Sequence, residues 1–219
     1  MKDSALSLPN QRNYEYSLGL AYEVTCEQLA RIVDFEGQCQ KCGASYQSEG
    51  LKKVITLSYL NQPCQIILPD IRVMLTGSDE EVPLREKLLI LHYFIHSRGT
   101  PLSHKMVSFQ ELAEIKNYFR TFNKRAIQPL VTTFGKETHS LLDTAHVFGG
   151  RKADFGDTAV TIDVFARVPI TFVLWKGDEE FSPEGNVMFD STVADYLPAE
   201  DIIVLSEILA WKLVKSARK

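Results

Sequence analysis

Two stretches of this sequence alternate apolar and polar side chains with a period of two, and the segments around them follow the helical period instead. In the first, 53–60 and 64–68 read as a hairpin about the polar turn Asn61-Gln62-Pro63, with a third strand over 71–75. In the second, 158–165, 169–175 and 186–189 carry strand signals. Parallel sheets need a long crossover after each strand, so strands gathered in clusters predict antiparallel pairing. The expectation is an α+β fold, a single domain with strand clusters at about 53–75 and 158–189 packed against helices.

The helical segments have their own punctuation. Tyr14, Leu18, Tyr22, Leu29 and Val33 recur at helical spacing, which predicts a helix ending before Gly37. Segment 83–97 is apolar on nearly every side and is stopped by Gly99 and Pro101, so it reads as a buried helix. Ser108-Phe-Gln-Glu111 has the spacing of a capping box and should open another helix, which Pro129 breaks or kinks. A short helix is expected over 138–148. A last one begins after Pro198, with Glu200 and Asp201 at its start and Lys212, Lys215 and Arg218 toward its end, matching the helix dipole.

The 219 residues suffice for one large domain, and no repeat, low-complexity tract or linker marks a boundary. Residues 1–12 are expected to be a flexible N-terminus and 13–219 a single domain. With 24 Lys and Arg against 28 Asp and Glu, the formal net charge is −4, which gives no reason to expect a nucleic-acid partner or an acidic membrane. No stretch approaches the ~20 apolar residues of a membrane-spanning helix, and the first residues lack a secretory apolar core. The expectation is a cytoplasmic protein with reduced thiols.

Four constellations can carry chemistry. Cys39-Gln-Lys-Cys42-Gly43 offers two thiols that can grip one metal ion, with Cys26 and Cys64 as distant candidates for a fuller ligand set. The alternative is two loop thiols and two packed ones. His92 and His96 share one helix face and can chelate a metal or present an axial nitrogen to a flat cofactor; otherwise His92 is a hydrogen-bonded core residue and His96 a wet one. Trp175-Lys-Gly-Asp178-Glu179-Glu180-Phe181, with Asp190 one strand later, gathers carboxylates suited to Mg²⁺ or Ca²⁺, or else forms a solvated turn. Lys116, Arg120 and Lys124 make a basic stripe beside Arg125, with Phe119 and Phe122 interleaved, able to hold phosphates or the carboxylate arms of a ligand, or simply the wet face of a helix.

Several phrases together, Leu89-Ile-Leu-His-Tyr93, Gly99-Thr-Pro-Leu102, Val107-Ser-Phe-Gln-Glu-Leu112, Val168-Pro-Ile170, Val173-Leu-Trp-Lys-Gly-Asp-Glu-Glu-Phe181, Met188-Phe-Asp190 and Tyr196-Leu-Pro-Ala-Glu-Asp201, resemble the domain-of-unknown-function family 3786 over roughly residues 14–215. The resemblance implies a small cytoplasmic protein of anaerobic bacteria and archaea with no established activity. Some relatives carry an added four-cysteine iron–sulfur domain of the kind found on corrinoid proteins. Cys39 and Cys42 depart from the family's usual residues, which moves attention to His92 and the Gly177-to-Phe181 turn.

Two functional expectations follow. The first is a ligand-binding or accessory protein of anaerobic metabolism, holding a corrinoid, haem or other tetrapyrrole, or meeting iron–sulfur or corrinoid proteins, with His92, His96, Trp175, Asp178, Glu179 and Phe181 at the site. The second is a divalent-cation enzyme using Asp178, Glu179, Glu180 and Asp190. An interaction protein, a third class, requires an exposed apolar patch beyond the core.

Overall fold

Polar punctuation divides the N-terminal helical stretch in two. In the computed structural model, which describes residues 10–78, 81–112 and 116–218, α1 (Asn10–Ala30) stops at a turn, and Asp34 then caps α2 (Phe35–Cys42) by accepting the Gly37 amide at 2.8 Å. The single helix expected to end before Gly37 is therefore two, because Asp34 starts a new one and Gly37 lies inside it. α2 ends at Gly43 in the left-handed conformation, whose neighbour Ala44 donates back to the Cys39 carbonyl. The expected flexible stretch 1–12 lies mostly outside the described residues, α1 being helical from Asn10.

The first strand cluster forms an antiparallel sheet in the order β1 (Ser45–Glu49), β2 (Lys52–Tyr59), β3 (Gln62–Leu68), β4 (Arg72–Leu75). Leu60 and Asn61, both at positive φ, make the two-residue β2–β3 turn, one residue earlier than the spacing suggested. The second sheet runs β5 (Met106–Ser108), β9 (Glu184–Asp190), β8 (Val168–Trp175), β7 (Thr158–Phe165), β6 (Arg151–Ala153), again antiparallel throughout. Central β8 is buried from Val168 to Leu174 without alternation, so both of its faces are covered. The α+β architecture and both clusters are as expected; β1, β5 and β6 are additional polar or three-residue edges.

α3 (Leu84–His96) ties the layers together. Its Tyr93 stacks on Phe165 of β7 at 4.1 Å between ring centres and donates to the Cys42 carbonyl at 2.7 Å. The buried Gln38 amide of α2 donates to the Phe94 and Ser97 carbonyls at 2.6 and 3.0 Å, filling acceptors that a helix end leaves open. The two sheets meet where Leu60 N–H donates to the Val164 carbonyl at 3.0 Å.

Ser108 and Glu111 do interact, the Glu111 carboxylate accepting from the Ser108 amide and hydroxyl at 2.7 and 2.8 Å. They head only a single 3₁₀ turn, however, and residues 113–115 beyond it are not described. Past them come α4 (Phe119–Phe122), a π-helical turn (Asn123–Ile127) and α5 (Gln128–Phe134). Pro129 thus widens the helix instead of ending it: lacking an N–H it cannot bond to the Arg125 carbonyl, and the turn before it opens so that Gln128 bonds to Asn123. α6 (Ser140–His146) and α7 (Ala199–Ser216) complete the helices. Among the described residues no helix is long and apolar enough to cross a membrane.

Candidate functional site

His92 sits where three helices meet. Its Nδ1 lies 2.7 Å from Asp201 Oδ2 on α7, and its Nε2 lies 2.8 Å from Thr25 Oγ1 on α1. The Thr25 hydroxyl also donates to the Ala21 carbonyl at 2.7 Å, and the Asp201 carboxylate, which can only accept, takes the Nδ1 proton. Both ring nitrogens are therefore engaged by protein groups. Thr25, His92 and Asp201 repeat the atom order of a nucleophile, base and acid. Thr25 is nevertheless only 1% exposed and its proton is committed to backbone, so the trio is a pin between α1, α3 and α7. An axial-ligand role for His92 would first have to break one of its two hydrogen bonds.

His96, one turn later, is exposed, and its ring faces that of His92 edge-on at 5.6 Å. Partial burial, and then the charge of His92, hold its pKa below the ordinary histidine range, so at neutral pH it is an uncharged imidazole. Cys39 and Cys42 are buried on α2, not exposed in a loop, and burial pushes their thiols up to about 11 and about 12. Cys64 on β3 is pushed to about 12 by burial, and Cys26 on α1 is also raised. Thiols this weakly acidic are poor metal ligands. Among the described residues no three His, Cys, Asp or Glu side chains converge to hold a metal ion. The expected metal pairs Cys39 with Cys42 and Asp178 with Asp190 lie in no such cluster.

The turn after β8 is solvated. Asp178 accepts from the Glu180 and Phe181 amides at 2.8 and 2.7 Å; these bonds lower its pKa, and Glu179, Glu180 and Phe181 are exposed around it. Trp175 is also exposed at the strand end. Asp190 lies at the opposite end of β9 from Glu184, the partner of Trp175, and at ~3.3 Å per residue that separation is ~20 Å. It is buried and receives five donors: the Ser103 amide and hydroxyl, the His104 amide, and the Thr192 amide and hydroxyl, at 2.7–3.2 Å. Burial alone would raise its pKa, but these donors, Thr192 foremost, bring it down to about 2. The four carboxylates expected to share a cation are thus split between two ends of a sheet, and Asp190 is a loop anchor. No hydrogen bond, ion pair or ring contact among the described residues joins the turn to His92.

A cleft of about 430 Å³ opens elsewhere, between the start of α7 and the π-helical turn. Ala199, Ile203 and Val204 form its apolar wall, Tyr118 and Thr121 face them, and Arg125 and Glu200 bring the charges. Glu207 pairs with Arg85 through both oxygens, at 2.9 and 3.4 Å, and lies 3.8 Å from Arg125. Arg125 therefore keeps most of its guanidinium fork available, at an apolar surface where a charge-assisted bond is strong. Of the basic stripe, only Arg125 reaches this cleft; Lys116, Arg120 and Lys124 are solvated, and Phe122 turns inward to stack on Phe109 at 3.9 Å.

Thr25, Asp201, Tyr118, Ile203 and Val204 escaped sequence reasoning. One signal was there for the last two: 202–205 and 208–210 make α7 apolar almost all round, more than one buried face requires. No curated protein and no solved structure matches the chain. A family described as a domain of unknown function (DUF3786) matches residues 34–212, a span that holds His92, Asp201 and the cleft but not Thr25, and the chain belongs to that family.

Proposed function

We propose that the protein is a ligand-binding or accessory protein whose binding site is the cleft between Tyr118, Arg125 and the first turns of α7. The observation that carries this reading is the combination of an apolar wall, a volume in the range of small-molecule sites and one weakly paired guanidinium. Its guest is an amphipathic anion, with a carboxylate on Arg125 and an apolar body against Ile203 and Val204. The propionate-bearing edge of a haem has this chemistry, which keeps a tetrapyrrole within the reading although both ring nitrogens of His92 are engaged by Thr25 and Asp201. Contact with iron–sulfur or corrinoid proteins belongs to the same accessory role.

The test is a titration of anaerobically purified protein with haemin, with cobalamin and with a medium-chain fatty acid, followed by absorption and tryptophan fluorescence. Saturable binding is expected for haemin or the fatty acid. Arg125→Ala weakens it about 10- to 100-fold by removing a charge-assisted hydrogen bond, while His92→Ala leaves it intact. Absence of binding by all three probes, or binding indifferent to both Arg125→Ala and Val204→Glu, defeats the reading. A second version is favoured by the neutral, exposed ring of His96, which no hydrogen bond engages among the described residues. There the imidazole ligates the tetrapyrrole metal, and His96→Ala removes the spectral shift that Arg125→Ala leaves in place.

A further inference from the structure

The described side chains in the first half of α1 are largely uncovered. From Tyr14 to Ala21 every residue is exposed or half-exposed, and Thr25 is the first buried one among the described side chains of this helix. A helical segment that buries little is marginal in water, and this one contains Tyr14, Tyr16 and Gly19, none of them strong helix formers. Tyr16, Leu20 and Val24 are 74%, 52% and 47% exposed and recur every four residues, so they form one apolar stripe. Glu23 and Glu27 lie on the same face, Glu27 in an exposed 3.8 Å pair with Arg31 that a stronger partner can replace.

A second uncovered face has the opposite charge. Beyond the ligand cleft, the outer side of α7 presents half-exposed Ile208 and Trp211, the latter 42% exposed, in a groove lined by Lys215 and by two ion pairs, Arg85 with Glu207 and Lys212 with Glu86. Lys212 pairs with Glu86 at 3.1 Å, whereas Lys215 and Arg218 have no ion-pair partner among the described residues. An exposed tryptophan beside an apolar neighbour and two cations without an ion-pair partner has the composition of an interface.

We propose that two copies of the chain exchange these elements: α1 of each copy lies along the Ile208 and Trp211 face of α7 in the other. Tyr16, Leu20 and Val24 cover the indole and the isoleucine, and Glu23 and Glu27 face Lys215 and Arg218. Reciprocal exchange makes the contact self-complementary and closes it about a two-fold axis. The cleft residues Ala199, Ile203 and Val204 take no part, so the pairing stands apart from the ligand reading.

Sedimentation velocity on the full chain at micromolar concentration is expected to give twice the chain mass. Leu20→Asp and Trp211→Ala, both at exposed positions, each give monomers that keep the cooperative melting transition of the folded protein and lose at most the helical signal of the first turns of α1. Mixing these two variants restores association, because the intact α1 of one meets the intact α7 of the other. Glu23→Lys and Lys215→Glu each abolish the dimer, and the double variant recovers it. A monomeric wild type, an open-ended polymer, a Trp211→Ala variant that remains dimeric as pairing of α1 with α1 would require, or a double variant without recovery, each overturns the proposal.

Discussion

Asp190 shows how a residue can be picked out correctly and given the wrong neighbours. The sequence marks it as an acid close to other acids, but its donors Ser103 and His104 lie 87 and 86 positions away and are brought to it by the pairing of β5 with β9. Its carboxyl pKa, about 2 against an ordinary 3.8, sets a pH window. A carboxyl depressed in the folded state contributes stability that is complete above its unfolded value and is lost as the pH falls through the folded one. Urea midpoints of the wild type should therefore fall between pH 3.8 and about 2 by a component that Asp190→Asn lacks. At neutral pH the same variant is expected to lose about 2–4 kcal/mol, because the new amide turns N–H groups toward donors. A neutral-pH loss within about 0.5 kcal/mol, the scale of ordinary surface substitutions, refutes the anchoring role.

Elements followed local chemistry where a long apolar period or a strong cap specified them, and departed from it where a polar edge or a single breaker did. β1 reads Ser-Tyr-Gln-Ser-Glu and buries almost nothing, so its strand character comes from the ladder with β2, which no period in its own sequence announces. Pro129 was legible as an interruption, but not as a π-helical turn, because the remaining helix is held on both sides by buried Phe122, Leu130 and Phe134. The consequence reaches the cleft, since the wide turn sets where Arg125 points. Pro129→Ala supplies an N–H for the Arg125 carbonyl and is expected to restore α geometry, changing stability by no more than about 1 kcal/mol. Haemin or fatty-acid affinity then falls toward that of Arg125→Ala as the guanidinium rotates out of the cleft. A crystal structure of the variant with the π turn intact contradicts this account.

Across the whole molecule, the His92 pin is the contact that ties α1 and the start of α7 to α3. His92→Ala strips Asp201 and Thr25 of their shared partner in a poorly solvated place, and about 2–4 kcal/mol of stability should go with it. For a chain of this size that lowers the melting temperature by about 5–15 °C, measurable by circular dichroism; a change under about 2 °C means the three helices are held by packing alone. Composition and periodicity alone determined that the chain builds two antiparallel strand clusters among helices, because alternation and helical spacing record which face of each element must leave water. The sequence also singled out His92, His96, Asp190 and Arg125 as chemically able. Which of them is sealed, which is solvated and which borders a cleft was decided only by tertiary structure, since Thr25, His92 and Asp201 are separated by 67 and 109 positions and nothing local in a sequence records what packs across such distances.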